Sequence, residues 1–82
     1  MTKITFGLDN FRDCVKEIEL EIEPGWTMHD LFVKCTEVEG VTATVDAMDV
    51  AWLNVDGANS NKDSVLTGEE KEISIMNMFV GG

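Results

Sequence analysis

Cations are scarce in this sequence: six Lys and Arg stand against sixteen Asp and Glu, for a formal net charge of −10 with His29 neutral. Lys3, Arg12, Lys16, Lys34, Lys62 and Lys71 are scattered and form no run. A surface of that sign repels phosphate backbones and anionic headgroups, which argues against nucleic acid and membrane as partners. It suits solubility, a partner with a basic docking surface, or a saline cytoplasm. Cysteine is also scarce. Cys14 and Cys35 are too few for a disulfide scaffold and fit a reducing, cytoplasmic setting. No stretch approaches the ~18 apolar residues needed to cross a bilayer. The segment Met1 to Phe6 lacks the charged region and apolar run of a secretory signal. With His29 the only histidine, no serine has a histidine and an acid in a recognisable motif. No glycine-rich phosphate loop follows a strand. Two cysteines and one histidine at these spacings make no zinc or iron–sulfur site. The expectation is a chain that is not itself an enzyme, with no metal and no bound cofactor.

What is present is an efficient small domain. At 82 residues and 44 % apolar, residues 1–82 allow one domain and enough apolar matter to fold it. Residues Lys3 to Leu8 alternate, with Ile4, Phe6 and Leu8 on one face, as in a half-buried strand. Asp9-Asn10 is turn chemistry. From Lys16 to Glu23, Ile18, Leu20 and Ile22 lie opposite Glu17, Glu19, Glu21 and Glu23. A helix would scatter those glutamates, whereas a strand sends all of them to water. The two runs predict an N-terminal hairpin with a loop near Asp9 to Asp13. Pro24-Gly25 ends it. Thr27 and Asp30 have the spacing of a capping box. Met28, Leu31, Phe32, Cys35 and Val38 then predict a helix from Met28 to about Val38, stopped by Gly40.

Residues Val41 to Asp49 read as an irregular connection, although Ala47-Met48-Asp49 would suit a helical turn. Val50 to Val55 is nearly continuous apolar, as in a strand covered on more than one side. Asp56-Gly57 is a strong turn signal. Asn59 to Ser64 reads as polar loop, and Val65-Leu66 as a short strand or turn before a turn at Thr67-Gly68-Glu69. Glu72 to Phe79 is the last strand. The order predicts an α+β fold: a mixed sheet of four to five strands packed on one main helix, with the first and last strands side by side in the middle.

The chemistry-bearing feature is Gly81-Gly82. A pair without Cβ atoms is thin and pliant, and residues from about 80 to 82 read as a flexible tail. Such a tail enters a channel too narrow for side chains and presents a carboxylate at its end. Its reach from Val80 is only about 10 Å, so the body must dock close to a partner's active site. Met76, Met78, Phe79 and Val80 are the docking candidates, methionine being suited to adaptable surfaces.

Several stretches carry a family resemblance: Leu53-Asn54-Val55-Asp56-Gly57, Asp63 to Leu66, and Ile73 through Gly82. With the element order, they make the chain similar to the β-grasp sulfur carriers related to ubiquitin. These are the small subunit of molybdopterin synthase (MoaD) and the thiazole-pathway carrier (ThiS). Two departures stand out. The usual Gly-Asp-Glu turn reads Gly68-Glu69-Glu70, and the Pro-Pro that often precedes the tail is replaced by Asn77-Met78-Phe79. The resemblance implies that an ATP-dependent adenylating enzyme activates the carboxylate of Gly82. A sulfur donor then converts it to a thiocarboxylate, and a sulfur-accepting synthase subunit uses it. Gly82 would carry the group and Gly81 would give clearance. The molybdopterin type is favoured over the thiamine type because the Val41 to Asp49 connection lengthens the chain. Two alternatives stay open: a protein modifier joined to lysine through Gly82, and a non-catalytic interaction domain.

Other residues read as ordinary. Cys35 lies on the helix's apolar stripe and is expected in the core, His29 on the surface, and Trp26 and Trp52 in packing roles.

Overall fold

A computed structural model of the chain describes residues 1–7 and 13–76. Five strands and two helices follow in the order β1 (Thr2–Phe6), β2 (Glu17–Leu20), α1 (Met28–Thr36), α2 (Val45–Asp49), β3 (Trp52–Val55), β4 (Ala58–Ser60) and β5 (Glu72–Met76). The strands form one mixed sheet in the order β2-β1-β5-β3-β4. β1 and β5 lie side by side at its centre and run parallel, with Ile4 opposite Ile73 and Phe6 opposite Ile75. The other pairings, β1 with β2, β3 with β4 and β3 with β5, are antiparallel. The central placement of the first and last strands is as the element order predicts.

Alternation on each strand sorts the sheet into two faces. Ile4 and Phe6 of β1, Leu53 of β3, and Ile73 and Ile75 of β5 point inward and are buried. They meet Met28, Leu31, Phe32 and Cys35 from α1 and Met48 from α2 in one core. α1 exists where its stripe demands it. Thr27 caps it, accepting from Asp30 N–H, while the Asp30 carboxylate accepts from Thr27 N–H at 2.9 Å. That capping box is the one legible in the sequence. The helix ends at Thr36 with Glu37 as its C-cap, short of Val38, and Gly40 carries the chain away at φ 92°.

Three local readings need correction. The connection from Val41 to Asp49 is not wholly irregular, because Val45–Asp49 forms α2. Thr44 caps it by accepting from Ala47 N–H at 3.2 Å, and Met48 anchors it in the core. Five residues are too few to display a helical period, so alternation at Val41, Ala43 and Val45 dominated the pattern. The polar stretch after Gly57 is not all loop, since Ala58–Ser60 is β4. Asp56 and Gly57 have φ of 49° and 90°, the paired positive values of a tight hairpin turn. That turn places Ala58 opposite Val55 whatever the polarity of the residues that follow. The third correction is Trp52, which half faces solvent where the sequence implies cover on both sides.

The segment before α1 is held by the later loop. Gly25 N–H donates to Leu66 C=O at 2.9 Å, Leu66 N–H to Trp26 C=O at 2.7 Å, and Met28 N–H to Ser64 C=O at 2.9 Å. Buried Leu66 is thereby sealed against the end of the core. Among the described residues, no helix is long and apolar enough to cross a membrane.

Candidate functional site

The face of the sheet away from α1 and α2 is built by the other half of the alternation. In strand order it presents Glu17 and Glu19 from β2, Lys3 and Thr5 from β1, then Glu72, Ser74 and Met76 from β5. Trp52 and Asn54 from β3 and Asn59 from β4 complete it. Registers fix which of these are neighbours. Trp52 sits opposite Met76, Asn54 opposite Ser74, and Lys3 opposite Glu72.

The face is polar at its centre and charged at one side. Thr5 Oγ1 donates to Ser74 Oγ at 3.1 Å. Lys3 Nζ meets Glu72 Oε2 at 3.1 Å. The hydrogen bond and charge of Glu72, with smaller contributions from Glu17 and Glu19, hold the Lys3 ammonium above its ordinary value. Lys3 is thus committed to Glu72, and Glu17 and Glu19 stand exposed on the edge strand beside it. Asn54 Oδ1 is buried and has no hydrogen-bond partner among the described residues.

The opposite side is apolar. Trp52 is 51 % exposed and Met76 is 39 % exposed, and they face each other across two adjacent strands. A shallow cavity of about 300 Å³ adjoins Trp52, lined also by Ala51, Leu53, Asn59 and Ser60. Val50, just before β3, adds another exposed apolar side chain.

Of the docking candidates read from the sequence, Met76 lies at the end of β5 on this uncovered face. Met78, Phe79 and Val80, and with them Gly81 and Gly82, lie outside the described residues. Trp52 is the residue that sequence reasoning misplaced. The signal was available: Asn54, a polar residue two positions on, shares its face and marks that face as the outward one.

Four titratable residues elsewhere, Cys35, His29, Asp56 and Glu70, are engaged by the fold. Burial, with the nearby Cys14 adding to it, pushes the Cys35 thiol up to about 12. The core contains Cys35, as its place on the helix stripe predicts, and Cys14 packs at the rim. His29 is exposed, and its Nδ1 lies 3.2 Å from Asp49 Oδ1, joining the first turn of α1 to the end of α2. Glu70 organises the turn before β5, accepting from Thr67 N–H at 2.8 Å and from Gly68 N–H at 2.9 Å. Asp56 organises the start of β5, its Oδ1 accepting from Lys71 N–H at 3.0 Å and Glu72 N–H at 2.9 Å. The Glu70 and Asp56 contacts fix the start of β5.

No family model, no curated protein and no solved structure matches the chain.

Proposed function

We propose that the chain is a β-grasp sulfur carrier of the molybdopterin-synthase small-subunit type, whose reacting group is the carboxylate of Gly82. The observation that carries the reading is the diglycine Gly81-Gly82 placed within six residues of the end of β5, the central strand paired parallel to β1. The sheet order β2-β1-β5-β3-β4 over one main helix supports the β-grasp part of the reading. Strand β5 is gripped on both sides and at its start, so it is a firm base from which to present a thin terminus.

The chemistry follows from the weakness of a carboxylate as an electrophile. A carboxylate oxygen of Gly82 attacks the α-phosphorus of ATP in the activating enzyme, and pyrophosphate leaves. A donor delivering sulfur at the sulfide level then attacks the acyl carbon. The C–O bond to AMP breaks, AMP departs with the oxygen and the sulfide proton is lost to solvent. The thiocarboxylate that remains is a nucleophile for the synthase subunit. This chain's part is positional: Gly82 bears the group, Gly81 keeps the channel clear, and Met76, Met78, Phe79 and Val80 dock.

ATP–pyrophosphate exchange with the activating enzyme of the same cell tests the reading. Exchange that needs this chain, and that falls at least tenfold in Gly81→Ala, supports a channel built for glycine. Exchange unaffected by deletion of Gly81 and Gly82 overturns it. Lysine-linked adducts in cells, with no thiocarboxylate, would identify the protein modifier instead.

A further inference from the structure

Two nucleophilic side chains take no part in the chemistry at Gly82, and the fold brings both to one corner. Cys35 stands in the last turn of α1 and is wholly buried. Its C=O accepts Val38 N–H at 3.0 Å, and Val38 C=O accepts Val41 N–H at 3.2 Å, so the chain turns tightly between Cys35 and Gly40. The segment between β1 and β2 is laid over that turn. Val15 N–H donates to Gly40 C=O at 2.9 Å, and Val15 Cγ1 fills the place that a Cβ on Gly40 would take. Cys14, the residue before Val15, is partly buried and packs against the core that holds Cys35. Burial first, and then the charge of Cys14, raise the Cys35 thiol, which makes the two sulfurs neighbours at the rim of the core. The pair is unequal, because solvent reaches Cys14 and not Cys35. An accessible thiol beside a sealed one has an order of reaction built in: the outer sulfur meets an oxidant and the inner sulfur resolves it.

We propose that Cys14 and Cys35 form a redox site, a dithiol that a low-molecular-weight disulfide such as glutathione disulfide closes into an internal disulfide bond. The Cys14 thiolate attacks one sulfur of glutathione disulfide, and the first glutathione leaves as a thiolate with the electron pair of the broken S–S bond. Cys35 then loses its proton to solvent and attacks the Cys14 sulfur, and the second glutathione leaves as a thiolate. The two departing thiolates take up the two protons the protein has lost. Two protein thiols are oxidised, and one glutathione disulfide is reduced to two glutathione thiols. The new bond closes a loop of about 20 residues and fastens the segment before β2 to the end of α1. Lys16 C=O accepts Phe6 N–H at 2.9 Å, and Gly7 N–H donates to Ile75 C=O at 2.9 Å, so the fastened segment borders the ends of β1 and β5. Oxidation therefore stiffens that end of the sheet. The site works whether or not Gly82 is activated.

The test equilibrates the full reduced chain in mixtures of reduced and oxidised glutathione (GSH and GSSG), in buffer and in unfolding concentrations of urea, and quenches with acid. Intact mass spectrometry then counts the forms. The expected native product is a monomer about 2 Da lighter than the reduced chain, whose unreduced digest contains Cys14 and Cys35 in one linked pair of peptides. Cys35→Ala is expected to stop at a mixed disulfide on Cys14, about 305 Da heavier, and Cys14→Ser to stay unmodified while folded. A bond that suits the native arrangement is favoured by the fold. The value of [GSH]²/[GSSG] at half-oxidation is therefore expected to be about 100-fold higher in buffer than in urea. A difference under tenfold shows that folding does not bring the thiols together, and overturns the proposal. A native chain that stays reduced, that keeps glutathione on Cys14 without closing, or that forms a disulfide-linked dimer through Cys14, overturns it as well.

Discussion

Replacing Asp56 isolates the contact that ties the β3–β4 hairpin to the start of β5. Its carboxylate accepts the backbone N–H groups of Lys71 and Glu72 at 3.0 and 2.9 Å, while its own N–H donates to Glu72 C=O at 2.9 Å. Its φ of 49° also lies in the left-handed region, which Asp tolerates better than Ala. Two effects can therefore be separated. Hydrogen bonds to a charged group contribute roughly 1.5–3 kcal/mol when sheltered, and water competes with these exposed ones, so the clamp is set at about 1.5 kcal/mol for the pair. Asp56→Gly removes the clamp, and relief of the left-handed strain at φ 49° offsets the greater unfolded-chain entropy, for a loss of about 1.5 kcal/mol. Asp56→Ala removes the clamp and adds left-handed strain, for a loss of about 2 kcal/mol or somewhat more. Asp56→Asn keeps an oxygen acceptor and loses about 0.5 kcal/mol. The assay is urea unfolding followed by circular dichroism. With a slope of about 1 kcal/mol per molar urea, the midpoint of Asp56→Ala falls by about 2 M. The order parent, Asn, Gly, Ala is the signature. Asp56→Ala within 0.5 kcal/mol of the parent would falsify the clamp, and Asp56→Gly as damaging as Asp56→Ala would refute the backbone share.

Other consequences follow from single side chains. Alkylation of the native chain modifies Cys14 first and reaches Cys35 only through unfolding, because burial raises that thiol to about 12; equal labelling rates in a mass-resolved time course would contradict the burial. Asn54→Val removes a buried amide oxygen with no partner among the described residues, and is expected to stabilise by about 1 kcal/mol on urea unfolding. A loss of stability of that size would show that the amide has a role on the face. Burial pushes the Glu70 carboxyl up, but the N–H groups of Thr67 and Gly68 and the Thr67 hydroxyl outweigh it and hold it below the ordinary glutamate value. Its contribution is therefore complete above the unfolded value and is lost as pH falls through the lower folded value. Glu70→Gln accordingly loses less melting temperature than the parent between about pH 5 and pH 3; identical acid profiles would remove Glu70 from the account.

Much of the fold was legible because its causes are local. Ile4 and Phe6 alternate with Lys3 and Thr5, the Thr27–Asp30 box starts α1, and Asp56-Gly57 closes a two-residue hairpin. The central pairing of β1 with β5 was legible only through topology, since no residue in either strand specifies its distant neighbour. What escaped depended on context. Ala58–Ser60 pairs because the turn delivers it to β3, although its polar residues suggest a loop. Val45–Asp49 is held by Thr44 and Met48 across a span too short for a period. Trp52 is a large apolar residue that composition assigns to the interior; polar Asn54 on the same face was the sequence signal against that, and the register opposite Met76 puts Trp52 on the uncovered face. At the candidate site, Met76 was legible as an outward residue and so was the acidic edge, because the predicted hairpin turns Glu17 and Glu19 to water; the pairing that sets Trp52 beside Met76 was not.

Intact mass spectrometry of the full chain tests the central claim most directly. After incubation with ATP, the activating enzyme and a sulfide-level donor, the account predicts a gain of about 16 Da, confined to the C-terminal peptide and abolished by deleting Gly82. An unchanged mass, under conditions in which the same enzyme and donor convert an established carrier, would contradict it.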